Sequence, residues 1–250
     1  MNLFGDKKIP YICTPLIGRN KNEINDELKA IIPQSPDLIE WRADFFEGIY
    51  DTDKVLMIVD MISTASNIPV LFTIRSEKEG GEKISLSEEE KVALLGKVCE
   101  STPVDVIDFE VSNDPLHIKQ LRKLSRDNNK QLILSYHNFK NTPTNEEMMK
   151  HVRLEESFGA DVAKLAVMPK TKNDVLRLLD WTKQADESLN IPVVSMSMGK
   201  IGSLSRIMGW AYGSIITFGV GKRSSAPGQV PVNKLRELIN SMQEVVGDWE

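Results

Sequence analysis

The chain has 250 residues, 41% of them hydrophobic and 27% charged, which suits one large core, and no Pro/Ser-rich linker marks a second domain. A net charge of −5 with no basic stripe argues against a nucleic-acid partner, and no apolar run approaches the roughly 20 residues of a membrane span. Cys13 and Cys99 are too few for a disulfide framework or a metal site, so a reducing cytoplasm is expected, with neither metal nor cofactor.

A polar arm, residues 1–9, lacks the apolar region of a signal peptide. After it, short apolar runs read as strands over 9–17, 37–44, 68–75, 104–110, 131–137, 161–169, 191–198 and 214–218. Between them, apolar residues recur at helical spacing over 22–32, 53–63, 87–100, 114–128, 144–158, 173–187, 204–212 and 233–246. Ser87-Glu-Glu-Glu90 has the form of a capping box. Eight strand–helix units over this length predict an α/β protein, a single-domain (β/α)8 TIM barrel spanning 1–250. An open doubly wound sheet is the rival, but the turn after the first strand, Ile17-Gly-Arg-Asn, lacks its glycine-rich phosphate fingerprint.

Alternation along each strand sorts its side chains. On the sixth, Ala163, Leu165 and Val167 are wholly apolar and suit packing under helices, which turns Lys164 inward. Desolvation favours the neutral, nucleophilic amine, able to form a Schiff base with a carbonyl; the alternative is a lysine paired with a carboxylate or snorkelling to water. The same rule sends Glu40, Arg42, Arg75, Asp108, Glu110 and His137 inward, toward the mouth where active sites of this fold sit. Met196, Met198 and Phe218 face the lysine side. His137 can act as base and then as acid, and Glu79, in the loop after the third strand, can orient it. Such a set serves aldol cleavage or β-elimination.

Several ordered segments carry a resemblance from about Pro10 to the last helix. They are Glu40-Trp-Arg-Ala-Asp-Phe, Phe72-Thr-Ile-Arg-Ser-Glu-Lys-Glu-Gly-Gly, Val106-Ile-Asp-Phe-Glu and Ser135-Tyr-His-Asn-Phe, then Ala163-Lys-Leu-Ala-Val-Met-Pro, Ser195-Met-Ser-Met-Gly and Ser224-Ser-Ala-Pro-Gly-Gln. Together they resemble the type I 3-dehydroquinate dehydratases, Schiff-base enzymes of the shikimate pathway. The resemblance implies syn elimination of water from 3-dehydroquinate, with Lys164 forming the imine, His137 moving the proton and Glu79 as its partner. It implies ring-hydroxyl binding by Glu40, Arg42 and Arg75, and a carboxylate fork at Arg206. It also implies walls of Met196, Met198 and Phe218, a closing loop with Ser225 and Gln229, and a homodimer. The short arm departs from relatives that place a hairpin across the barrel floor. A phosphosugar aldolase is the nearest rival, and a barrel that only binds a small acid is another.

Overall fold

The computed structural model describes residues 3–4 and 10–246. The chain alternates β1 (Tyr11–Leu16), α1 (Lys21–Ile31), β2 (Leu38–Arg42), α2 (Thr52–Ala65), β3 (Val70–Thr73) and α3 (Glu88–Ser101). It continues with β4 (Val106–Glu110), α4 (Pro115–Asp127), β5 (Gln131–Asn138), α5 (Asn145–Ser157), β6 (Val162–Val167) and α6 (Lys172–Ser188). It closes with β7 (Val193–Ser197), α7 (Gly199–Met208), β8 (Ile216–Val220), β9 (Val230–Pro231) and α8 (Val232–Val246). Helix starts coincide with residues able to satisfy free N–H groups. Ser87, Thr144 and Thr171 each complete a capping box, with Glu90, Glu147 and Asp174.

All the strands are parallel, in the order β7-β6-β5-β4-β3-β2-β1-β8-β9. The ends meet where Val193 bridges Ser214 and the Ile215 N–H donates to the Val193 carbonyl at 3.0 Å, closing the barrel. Strand pairs are clamped at the floor by one recurring device. The aspartate just before β2, β4 and β6 (Asp37, Asp105 and Asp161) donates its own N–H to the preceding strand and accepts that strand's N–H on its side chain. The residues so held are Ile12, Val70 and Leu132, with carboxylate contacts of 2.9, 2.8 and 2.7 Å. Ser214 takes the corresponding place before β8, accepting the Ser195 N–H at 3.0 Å. A carboxylate beside a strand's first residues satisfies a donor that has no other partner below it.

The two strand faces separate as alternation requires. Ile39, Trp41, Phe72, Ile107 and Leu134 pack outward under the helices. Leu38, Leu71, Val106, Ile133, Val162 and Val194 fill the barrel interior, with Phe4 of the arm against them and edge-on to Tyr11 at 5.5 Å. The rest of the arm, 1–2 and 5–9, lies outside the described residues. Most strands are trimmed by a residue or two from the expected ranges, and two differences are larger. Helix α7 begins at Gly199, not near 204, and carries in its first turn Gly202, where a Cβ would come within 2.4 Å of the Ser197 carbonyl oxygen. The eighth strand is shifted to 216–220, and the two-residue β9 beside it has no apolar alternation to announce it. Among the described residues no helix is long and apolar enough to cross a membrane.

Candidate active site

Most side chains singled out in the sequence line one cavity at the C-terminal mouth, namely Glu40, Arg42, Arg75, Glu79, His137, Lys164, Met196, Met198, Arg206, Phe218, Ser225 and Gln229, whereas Asp108 and Glu110 do not border it. The sheet register produces much of this convergence. Ser135 pairs with Lys164, and Ala166 stands between His137 and Met196, so neighbouring strands deliver their polar tips to one level.

Lys164 is 3% exposed. Its Nζ lies 2.9 Å from Asp108 Oδ2, 3.7 Å from Glu40 Oε1 and 4.6 Å from the centre of the Phe218 ring. Asp108 Oδ1 accepts from Arg75 Nη2 and Ser135 Oγ, both at 2.7 Å. Burial alone would push the Asp108 carboxyl up, but Arg75 and Lys164 outweigh it and hold the group below the usual carboxylate range. Arg75 also reaches Glu110 at 3.3 Å, and Arg42 grips Asp44 through two bonds of 2.8 and 2.7 Å. The inner-face charges are therefore layered, with Asp44, Asp108 and Glu110 behind the groups that border the cavity.

Glu79 holds His137. One oxygen accepts both the His137 main-chain N–H and its Nδ1, each at 2.9 Å, and the other accepts Ser112 Oγ at 2.8 Å. An Nδ1 proton shared with Glu79 leaves the Nε2 lone pair free. Burial first, then the Arg75 and Lys164 cations, push the His137 pKa well below its usual 6.5, so the ring is neutral at rest. Burial and Glu110 push Glu79 up to about 7, against the pull of Arg75 and of its hydrogen bonds. The turn that presents Glu79 ends at Gly80, whose φ is +85° and whose absent Cβ would come within 2.2 Å of the Phe139 ring.

Arg206 stands apart from these pairs. It is 2% exposed, and no acidic side chain among the described residues pairs with it. Its polar contacts are the Pro227 carbonyl at 3.2 Å, with the Phe218 carbonyl and Met196 Sδ at 3.5 Å, and its Nε has none. Burial pulls its pKa down to about 10. A buried guanidinium without an acid is a receptor for a carboxylate or another anion. Over it folds the loop from Gly221 to Gln229. There Gln229 Oε1 accepts the Ser225 N–H at 3.0 Å, and its Nε2 donates to Ser225 Oγ at 3.3 Å.

The sequence profile described as "Type I 3-dehydroquinase" matches residues 12–245. The chain belongs to the type I 3-dehydroquinase family. A 3-dehydroquinate dehydratase of Albidiferax ferrireducens is 48% identical over 244 residues, covering 97% of this chain and 92% of that protein. One from Geobacillus sp. WCH70 is 46% identical, covering 94% of this chain and 91% of the other. The crystal structure of the Geobacillus kaustophilus enzyme superposes with a TM-score of 0.93 at 38% identity, over 99% of this chain and 100% of that one. The type I enzyme of Clostridium difficile, with covalently modified comenic acid, gives 0.92 at 35% identity, over 96% and 95%.

Within this dehydroquinase the sequence reading missed some contributors. Asp108 was placed on the inner face without a role, yet it is the nearest charged neighbour of Lys164. Phe139 and Ala226 also border the cavity. Strand alternation points to Asp108, but Phe139 and Ala226 lie in loops, where no periodicity applies. Glu40 and Arg42 share the inner face of β2 but do not pair: Arg42 turns to Asp44, and Glu40 accepts from Thr73 Oγ1 at 3.1 Å.

Proposed function

We propose that this hydro-lyase turns 3-dehydroquinate into 3-dehydroshikimate through a covalent imine on Lys164. Once deprotonated, the Lys164 amine adds to the ring ketone, and loss of water gives the iminium. The iminium draws electrons from the adjacent C–H bond, acidifying it. His137 Nε2 removes that proton, the electrons form the new C=C bond, and the hydroxyl β to the carbon of the original ketone departs. The proton held on His137 goes to that hydroxyl, which leaves as water from the same face, and hydrolysis of the imine frees product and amine. Glu79 holds the imidazole in the tautomer this needs. Glu40, Arg42 and Arg75 present donors and acceptors to the ring hydroxyls, while Met196, Met198 and Phe218 wall the ring. Ser225 and Gln229, bonded to each other at rest, are placed to turn those groups to the substrate.

The observation that carries this reading is Arg206, a buried cation with no acid of its own, facing the same cavity as a buried lysine. That pairing fits a ketone that also bears a carboxylate. It fits a phosphosugar less well, since a phosphate usually recruits several backbone N–H groups. Borohydride added with dehydroquinate should attach the reduced adduct to the peptide holding Lys164, and the enone absorbance of product should appear without borohydride. Turnover with labelling confined to Lys170 or Lys172 would overturn the assignment.

The chain acts in the cytoplasm, a reading supported by its two buried free thiols, Cys13 and Cys99. It works as a homodimer, for which the exposed apolar side chains Ile201 and Leu204, three apart on α7, give surface support. Light scattering in solution, giving one chain mass or two, tests the latter.

A further inference from the structure

Directly behind Lys164 lies a carboxyl that the chemistry above does not use. Glu155 sits on the inner face of α5 and is fully buried. Met148 and Val152, two turns and one turn before it, pack with Ala163 and Leu165, the neighbours of Lys164 on β6. Its Oε2 accepts the main-chain N–H of Lys164 at 3.0 Å, and its Oε1 has no hydrogen-bond partner among the described residues. A fully buried carboxyl with one oxygen unmatched is costly, and leucine or methionine would fill an apolar layer without that cost. We propose that Glu155 is a positioning residue for the reaction, a strut from α5 that fixes the main chain at Lys164 and so aims its amine.

The geometry gives the strut a specific task. Lys164 reaches the site through a long flexible stem, and its Nζ must stay near Asp108 and Glu40 while meeting a ketone from one direction. A neighbouring strand can hold the strand's average position. A bond to the lysine's own N–H also restrains rotation about its Cα, which sets where the stem leaves the sheet. Burial pushes the Glu155 carboxyl well up, opposed by the Lys164 N–H and Lys164 charge, and Asp108 and Glu79 raise it further. That direction favours the neutral acid, whose carbonyl oxygen can accept the bond. An amide can reproduce that arrangement.

The inference rests on the imine reading, and the test separates the two. Three variants are compared with the parent chain for melting temperature, kcat, KM and the rate of borohydride trapping with product. Glu155→Gln keeps length and acceptor, Glu155→Asp keeps the acid but is one methylene short, and Glu155→Leu removes the acceptor. Gln should trap and turn over within about twofold of the parent, whereas Asp and Leu should lose about 10- to 100-fold in trapping rate and kcat together, at little-changed KM. If Leu fails to fold, the Gln and Asp pair decides. Leu or Asp trapping as fast as the parent, or Gln slowing as much as Leu, overturns the strut. A parent chain that turns over without trapping at Lys164 overturns the imine reading instead.

Discussion

At the scale of single residues, the site is built from charges whose partners fix their use. His137 is neutral because burial and two cations keep it so, and Glu79 fixes which nitrogen is free. His137→Ala should leave imine formation with product detectable while dehydration falls by about 10² to 10⁴, the usual worth of a positioned base. Parallel single-turnover and trapping assays check this, and near-normal turnover would remove His137 from the mechanism. Arg206 is proposed to act in binding. If it holds the substrate carboxylate equally in ground and transition states, Arg206→Ala raises KM with little change in kcat. Truncating one member of a desolvated charge pair costs about 2–5 kcal/mol. Arg206→Lys should recover only part of this, because an ammonium lacks the planar fork. A fall in kcat at constant KM would refute that role. Glu155 leaves a separate mark on stability. Its folded pKa lies above the unfolded value of about 4.3, so its favourable contribution is complete below that pH. As pH rises further, the unfolded chain releases a proton that the folded chain keeps, and stability falls until the folded pKa is passed. Glu155→Gln should cancel this, making the variant's melting temperature gain on the parent's from pH 5 to pH 8. Parallel curves for the two proteins would show that Glu155 is ionised in the fold.

At the scale of elements, the loop after β8 shows what sequence does and does not convey. Its glycines and its place at the barrel mouth identify a cover for the site. What sequence could not supply is the anchor. Arg223 donates to Glu27 at 2.6 Å and to Glu23 at 2.9 Å on α1, about 200 positions away in the chain, and nothing in local pattern links them. Glu27 is itself fully buried, accepting the Ile17 and Gly18 N–H groups at 2.8 and 3.0 Å, so the outer end of the loop is tied to a rigid corner. The inner end is held by Gly228, whose φ is +78° and where a Cβ would come within 2.1 Å of the Gly199 carbonyl oxygen. Arg223→Ala should therefore speed amide exchange across 221–229 and raise KM modestly, by about fivefold or less for a half-exposed ion pair. Exchange identical to the parent's would show the inner contacts suffice. Strands were legible wherever apolar alternation was strong, which is why Lys164, His137 and the inner arginines could be placed from sequence. Helix α7 was misjudged at its start because two glycines lower its propensity, while the close approach that favours Gly202 is to the end of β7, which spacing does not reveal.

At the scale of the whole molecule, the barrel is divided by its floor clamps into β1–β2, β3–β4, β5–β6 and β7–β8. Asp105→Ala should cost about 1–3 kcal/mol, the penalty for a buried Val70 N–H left without a partner, and Asp105→Asn distinctly less, since its amide oxygen can still accept. Urea unfolding of the three proteins measures the difference, and equal loss in both variants would point to charge instead of the hydrogen bond. Eight strands were countable in the sequence, but their pairing two by two was not, because a lone aspartate before a strand looks like any other turn residue.

Those clamps also say where the chain could be rewired. Each joins two strands already linked by one short helical excursion, so a strand–helix–strand segment carries its own fastening at the floor. New termini placed in the connections through α2, α4 or α6 would leave all four fastened segments continuous, and a circularly permuted gene opened there should yield soluble, active protein. Openings through α1, α3, α5 or α7 would leave one clamp to be closed between the two far ends of the chain. The barrel is thus built from four fastened quarters, with Lys164 and His137 together in the third.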